Sequence, residues 1–156
     1  MSYNVYKWFK ARKADKVFLG EFQHTMDSKG RVVIPSKFRT RLQQGCVVTK
    51  GQDNCLQILT KKTWEEEASK MASLPSTDRT SRQLRRALFS GAIDVKIDSA
   101  GRVPIPENLR EYSGIDFNEE VSVTGSGPVV EVWSTRSWKK IQKEADQSFA
   151  NINEVK

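Results

Sequence analysis

Apolar and polar positions alternate along this chain in short runs broken by turn residues. Over residues 21–26, Phe22, His24 and Met26 fall on one face and Gln23 and Thr25 on the other, the period of a half-buried strand. Ile93, Val95 and Ile97 repeat that pattern over residues 93–97. Residues 32–34 and 103–105 predict two more short strands, stopped by Pro35 and Pro106. Each proline suits the first position of a helix, so short helices are expected at about 36–43 and 107–113. Residues 47–50 and 55–59 read as a hairpin across Gly51, and residues 121–124 and 129–133 as another across Gly125-Ser126-Gly127. Three longer helices complete the pattern. Thr63 is expected to cap one running to about residue 73, with Glu65, Glu66 and Glu67 in its first turn, where negative charge suits the dipole. Ser137 is expected to do the same for residues 138–149. Between them, residues 79–90 carry Leu84, Ala87 and Leu88 as an apolar stripe. Arg79, Arg82, Arg85 and Arg86 on the rest of that helix read as a solvated face, with a second nucleic-acid-facing element as the alternative.

These runs are one pattern written twice. Residues 27–35 and 98–106 are identical at seven of nine positions at an offset of 71, and Arg39 matches Arg110 further on. Residues 47–64 then align without gaps on 121–138 at an offset of 74, pairing Gly51 with Gly125 and Trp64 with Trp138. The second copy therefore holds three extra residues, around 113–120. Two repeats are too few for a solenoid, so a single pseudo-twofold domain is the expected outcome. The organisation expected is a basic extension over 1–16, disordered, a first repeat over 17–73, a linking helix over 74–91, a second repeat over 92–149 and a tail over 150–156.

The repeated segment carries the candidate chemistry. Asp27 with Gly30, and Asp98 with Gly101, have the spacing of a turn in which the aspartate caps backbone N–H groups. With strands on both sides, each turn is expected to be a hairpin tip. Arg31 and Arg102 follow, four residues after the aspartates. An arginine held on such a loop is a bidentate donor for phosphate or for guanine O6 and N7. The plainer alternative is an Asp–Arg ion pair that only steadies the turn. His24 and the two tryptophans Trp64 and Trp138 read as structural.

Charge separates the two copies. The whole chain carries +7 at a pI of about 9.5, which favours a polyanionic partner. Residues 17–64 sum to +5, with Lys29, Arg31, Lys37, Arg39 and Arg41 among the cations. Residues 93–138 sum to −4, Lys29 being replaced by Ala100. The first copy is therefore expected to make most of the nucleic-acid contact and the second to serve assembly. Cys46 and Cys55 match neither a CxxC pair nor a zinc knuckle, and His24 is the one histidine, so no metal site, cofactor or disulfide is expected. No nucleophile–base set or phosphate-binding glycine loop is visible, which argues against an enzyme. Without a signal peptide or an apolar span, a cytoplasmic protein with no membrane partner is expected.

The chain resembles the MraZ family, which belongs to the SpoVT/AbrB-like swapped-hairpin proteins. The resemblance runs over about 17–141 and rests on Phe18-Leu19-Gly20-Glu21-Phe22-Gln23-His24-Thr25-Met26-Asp27-Ser28-Lys29-Gly30-Arg31, then Ile34-Pro35, Cys55-Leu56, Arg85-Arg86, Leu88-Phe89-Ser90, the motif from Asp98 to Pro106, and Glu131-Val132-Trp133. It implies an α+β fold: an internally duplicated, pseudo-twofold swapped-hairpin β-barrel of the AbrB-like double-psi type, with peripheral helices. It also implies a nucleoid-associated regulator, usually a repressor, that binds direct repeats upstream of the division and cell wall gene cluster as a ring-shaped homo-oligomer. The family's Asp-x-x-x-Arg element maps onto Asp27 and Arg31, with Asp98 and Arg102 as its second copy; Lys29, Lys37 and Arg39 join them as expected double-stranded DNA contacts from charge. An antitoxin-like protein-interaction module is the alternative. Family members usually begin near Met-Phe-x-Gly, whereas here Val17-Phe18-Leu19-Gly20 follows a stretch of net charge +4. That stretch is either a basic DNA-binding arm or an artefact of a start read upstream of a valine initiation codon.

Overall fold

Each repeat folds into the same succession of elements, as the two offsets require. The computed structural model describes residues 17–152; the expected basic extension and the end of the tail lie outside them. In the first repeat, strand β1 (Glu21–Thr25) leads through the 27–31 loop to β2 (Arg31–Val33) and helix α1 (Ser36–Leu42). The hairpin of β3 (Cys46–Lys50) and β4 (Leu56–Thr60) follows, and then α2 (Lys61–Ala72). Helix α3 (Arg79–Gly91) connects to the second repeat. That repeat contains β5 (Ile93–Val95), β6 (Arg102–Pro104), α4 (Glu107–Ser113), β7 (Glu120–Ser126), β8 (Val129–Ser134) and α5 (Thr135–Ala150).

The repeats are interleaved rather than set side by side. The six-stranded antiparallel sheet has the order β1-β7-β8-β4-β3-β5, and β2 pairs with β6 in a separate two-stranded ribbon. Exchanging the repeats reverses this order and leaves it unchanged, which is the signature of the pseudo-twofold. Strand β1 pairs with β7 of the other repeat, His24 opposite Val121, and β5 pairs with β3, Val95 opposite Cys46. The expected hairpin tips are therefore corrected. The strands flanking the 27–31 loop do not pair with each other; each takes its partner from the opposite repeat. The strands β2 and β6 pair with one another across the pseudo-twofold, so neither is available to the edge strand that precedes its loop. The closed barrel is corrected too. The larger sheet is open, with β1 and β5 at its two edges, because the chain leaves each edge strand through a tight loop into the ribbon.

One core serves both repeats. Val32 and Val103, Ile34 and Ile105, and Phe38 and Leu109 are equivalent pairs, all buried together with Met26, Leu42, Val48, Ile58, Val121 and Val132. Phe18 and Phe22 meet Phe38 edge-on at centroid distances of 5.3 and 5.4 Å, the geometry favoured by ring quadrupoles. Tyr112 of α4 donates its hydroxyl to the Gly51 carbonyl at 2.5 Å, tying the β3–β4 turn to the other repeat.

The starts of α2 and α5 depart from expectation by three residues. Thr60 and Ser134 are the caps, in extended backbone, and their hydroxyls accept from the N–H groups of Thr63 and Ser137. Strand runs directly into helix at both places, so the last strand residue holds the cap. Glu65, Glu66 and Glu67 consequently lie beyond the first turn. Pro35 and Pro106 occupy the capping position rather than the first helical one. Trp64 packs edge-on against Phe89 of α3 and Trp138 lies tilted against Trp133, both at 5.7 Å, which makes both tryptophans anchors for their helices.

Candidate nucleic-acid interface

Asp27 organises its loop through both carboxylate oxygens. Oδ1 accepts from the N–H groups of Lys29 and Arg31, each at 2.9 Å, and Oδ2 accepts from Arg31 Nε at 2.8 Å. The Gly30 N–H closes the four-residue turn onto the Asp27 carbonyl at 3.1 Å, and the Asp27 N–H donates to the Arg31 carbonyl. Gly30 has φ +76°, a left-handed conformation that glycine adopts without a steric penalty. The second loop reproduces every feature: Asp98 Oδ1 accepts from Ala100 and Arg102, Oδ2 from Arg102 Nε at 2.9 Å, and Gly101 has φ +80°.

The short ribbon brings these loops together. In its register Arg31 lies opposite Pro104 and Arg102 opposite Val33, while Val32 and Val103 are buried on the other side. Both arginines thus occupy one face of the ribbon. Arg102 reaches across to Asp27, its Nη1 3.7 Å from Oδ2. The two side chains are equally accessible, at 28% and 30%. With each Nε committed to its own aspartate, the terminal nitrogens are the donors left for a planar, bidentate acceptor.

Electrostatics favour the charged form of the anchors. Amide hydrogen bonds, first among them that of Arg31, hold the Asp27 carboxyl below its ordinary value of 3.8 against a smaller opposing effect of desolvation. Asp98 is lowered in the same way, chiefly by the Arg102 amide. His24 is also lowered, by burial and then by the charge of Arg39, and remains a neutral member of β1. The thiols belong to the interior: burial raises Cys46 to about 11 and pushes Cys55 upward, with Glu131 beside it, so neither is a reactive thiolate.

Comparison with known families decides what these duplicated loops belong to. The family model described as "MraZ protein, putative antitoxin-like" matches residues 17–87 and again 88–155. The chain belongs to the MraZ family. The two matches meet within α3, so the MraZ unit is found twice, in agreement with the internal repeat. Membership is consistent with a regulator or an antitoxin-like module. No helix among the described residues is long and apolar enough to cross a membrane.

Within this MraZ chain, Asp27, Arg31, Asp98 and Arg102 form one cluster. Lys29 is exposed at the tip of the first loop, and Lys37 is exposed in the first turn of α1. Arg39 is placed differently. Its Nε donates to the Ile34 carbonyl at 2.7 Å, and its guanidinium lies directly against Gly101 of the second loop. Its equivalent, Arg110, donates to the Ile105 carbonyl at 2.6 Å and packs on Gly30 of the first loop. Arg110 was not among the residues expected at the site. The repeat pairs it with Arg39, but its approach to the opposite loop depends on the strand exchange, which leaves no local mark.

Proposed function

We propose that the protein is a sequence-specific DNA-binding transcriptional regulator that uses its two Asp-x-x-Gly-Arg loops as one contact surface. The observation that carries this reading is the pair of aspartate-anchored arginines on one face of the β2–β6 ribbon. Guanidinium forks pre-set in this way lose little freedom on binding phosphate or the guanine edge. Lys29 and Lys37 add a sequence-independent attraction to the DNA backbone. A ring-shaped homo-oligomer presenting several such surfaces gains from multivalency on direct repeats, because each bound loop raises the effective concentration of the next. Repeats spaced by about one helical turn keep successive contacts on the same DNA face. The proposed role is that of a repressor acting on promoter direct repeats upstream of the division and cell wall genes, in the cytoplasm at the nucleoid.

The test is footprinting on the protein's own upstream region with a scrambled-repeat control. Periodic protection of the repeats, absent from the control, is the expected result; equal protection of both DNAs overturns sequence specificity. The family description favours a second reading, an antitoxin-like module. Stoichiometric co-purification with a protein partner, without protection of the repeats, is its result.

A further inference from the structure

The two loops are chemically alike but their backing differs. Arg110, behind the first loop, is held on three sides. Its Nη1 donates to the Ile105 carbonyl, its guanidinium lies over the Phe117 ring at 4.6 Å, and a Cβ placed on Gly30 would sit 2.8 Å from Nη1. Phe117 lies in the stretch around 113–120, which is three residues longer than its counterpart in the first repeat. That same stretch grips the start of the first loop through its backbone. The Met26 N–H donates to the Glu119 carbonyl at 2.9 Å, and the Asn118 N–H donates to the Met26 carbonyl at 2.8 Å. Behind the second loop the corresponding connection is three residues shorter. There a cleft of about 230 Å³ opens, lined by Arg39, Gln43, Ile97, Asp98, Ser99 and Gly101.

We infer that Arg110, clamped between Phe117 and Gly30, is a positioning residue that holds the first loop in its DNA-binding pose from the opposite repeat; this rests on the DNA-binding reading above. The physical basis is that a contact residue is placed accurately only when its support is itself locked by packing and hydrogen bonds. Arg110 acts through the Gly30 peptide, which is linked to Ile105 by a hydrogen bond of 2.8 Å from the Ile105 N–H to the Gly30 carbonyl. The three-residue insertion thus makes one loop stiff and leaves the other room to adjust. This asymmetry is independent of the difference in net charge between the repeats.

The experiment compares full-length wild type, Arg110→Lys, Phe117→Ala and, as the mirror control, Arg39→Lys. Two quantities are read: amide hydrogen exchange at Lys29, Gly30 and Arg31 without DNA, and the ratio of affinities for upstream and scrambled-repeat DNA. Lysine keeps the charge but loses the planar fork, so exchange at the first loop should rise and the affinity ratio fall, each on the order of tenfold, as for effects passed through a packed neighbour. Affinity for scrambled DNA should hold. Phe117 is exposed, so its truncation tests the clamp with little risk to folding. Arg39→Lys should loosen the second loop and spare the first. Wild-type exchange in both Arg110→Lys and Phe117→Ala overturns the clamp, whatever the DNA result. Faster exchange with an unchanged affinity ratio overturns the positioning role. Failure of the wild type to discriminate between the two DNAs overturns the sequence-specific reading and with it the role of Arg110 on DNA, while the exchange data still decide whether the clamp exists.

Discussion

At the residue scale, Asp27 and Asp98 have two roles: each folds its turn through Oδ1 and aims its arginine through Oδ2. Asp27→Asn keeps the size of the side chain but loses the charge, so Arg31 should loosen and DNA affinity fall; an unchanged gel shift counts against the anchored-arginine account. Arg31→Ala and Arg102→Ala separate geometry from charge. The two arginines are equally accessible, yet the first copy sums to +5 and the second to −4. Arg31→Ala should therefore be the more damaging in a gel shift, and equal losses would show that shared geometry outweighs the local field. Lys29→Ala should weaken binding to all sequences alike and reduce the slope of log K against log salt by about 1. The carboxyl shifts set a pH dependence. Both aspartates lie below 3.8 in the folded chain, so their stabilisation is complete above that value and is lost as pH falls through the lowered one. Carboxyl titration by NMR should give midpoints under 3.8 for both; midpoints at or above it contradict the hydrogen-bonded loop.

At the element scale, the helix caps show where reading by type alone goes astray. Thr63 and Ser137 are good capping residues in good positions, but Thr60 and Ser134, also of the right type, stand three residues earlier with extended backbone. The boundary moved because β4 and β8 run to those residues without a connecting loop. Ser134→Ala should cost about 1 kcal/mol of stability in thermal or denaturant unfolding. Ser137→Ala should cost clearly less, since the cap it receives uses its backbone N–H. Equal costs would return the cap to Ser137. The strands themselves were legible, because a period of two is set by the pleat and needs no knowledge of partners. Both hairpins of the large sheet were legible for the same reason, their turns being local.

At the scale of the whole molecule, neither repeat is self-sufficient. Strand β1 finds its partner in β7, β2 in β6 and β4 in β8, each time across the repeat boundary. A chain ending at residue 87 should thus show no cooperative unfolding as a monomer by circular dichroism, and a monomeric cooperative transition would refute the interleaving. The duplication was determined by the sequence alone, and so were the strand and helix types, the Asp–Gly turns and the Asp–Arg spacing, because each of these depends on residues within a few positions of one another. Which strands pair, that the sheet stays open, and that Arg110 and Phe117 of one repeat brace the loop of the other were decided only by tertiary structure. Those choices depend on contacts between residues far apart in the chain, such as Gln23 with Ser122 at 2.6 Å and Gly30 with Arg110. Local pattern cannot separate a turn whose strands pair with each other from one whose strands are exchanged, since the two bury the same faces.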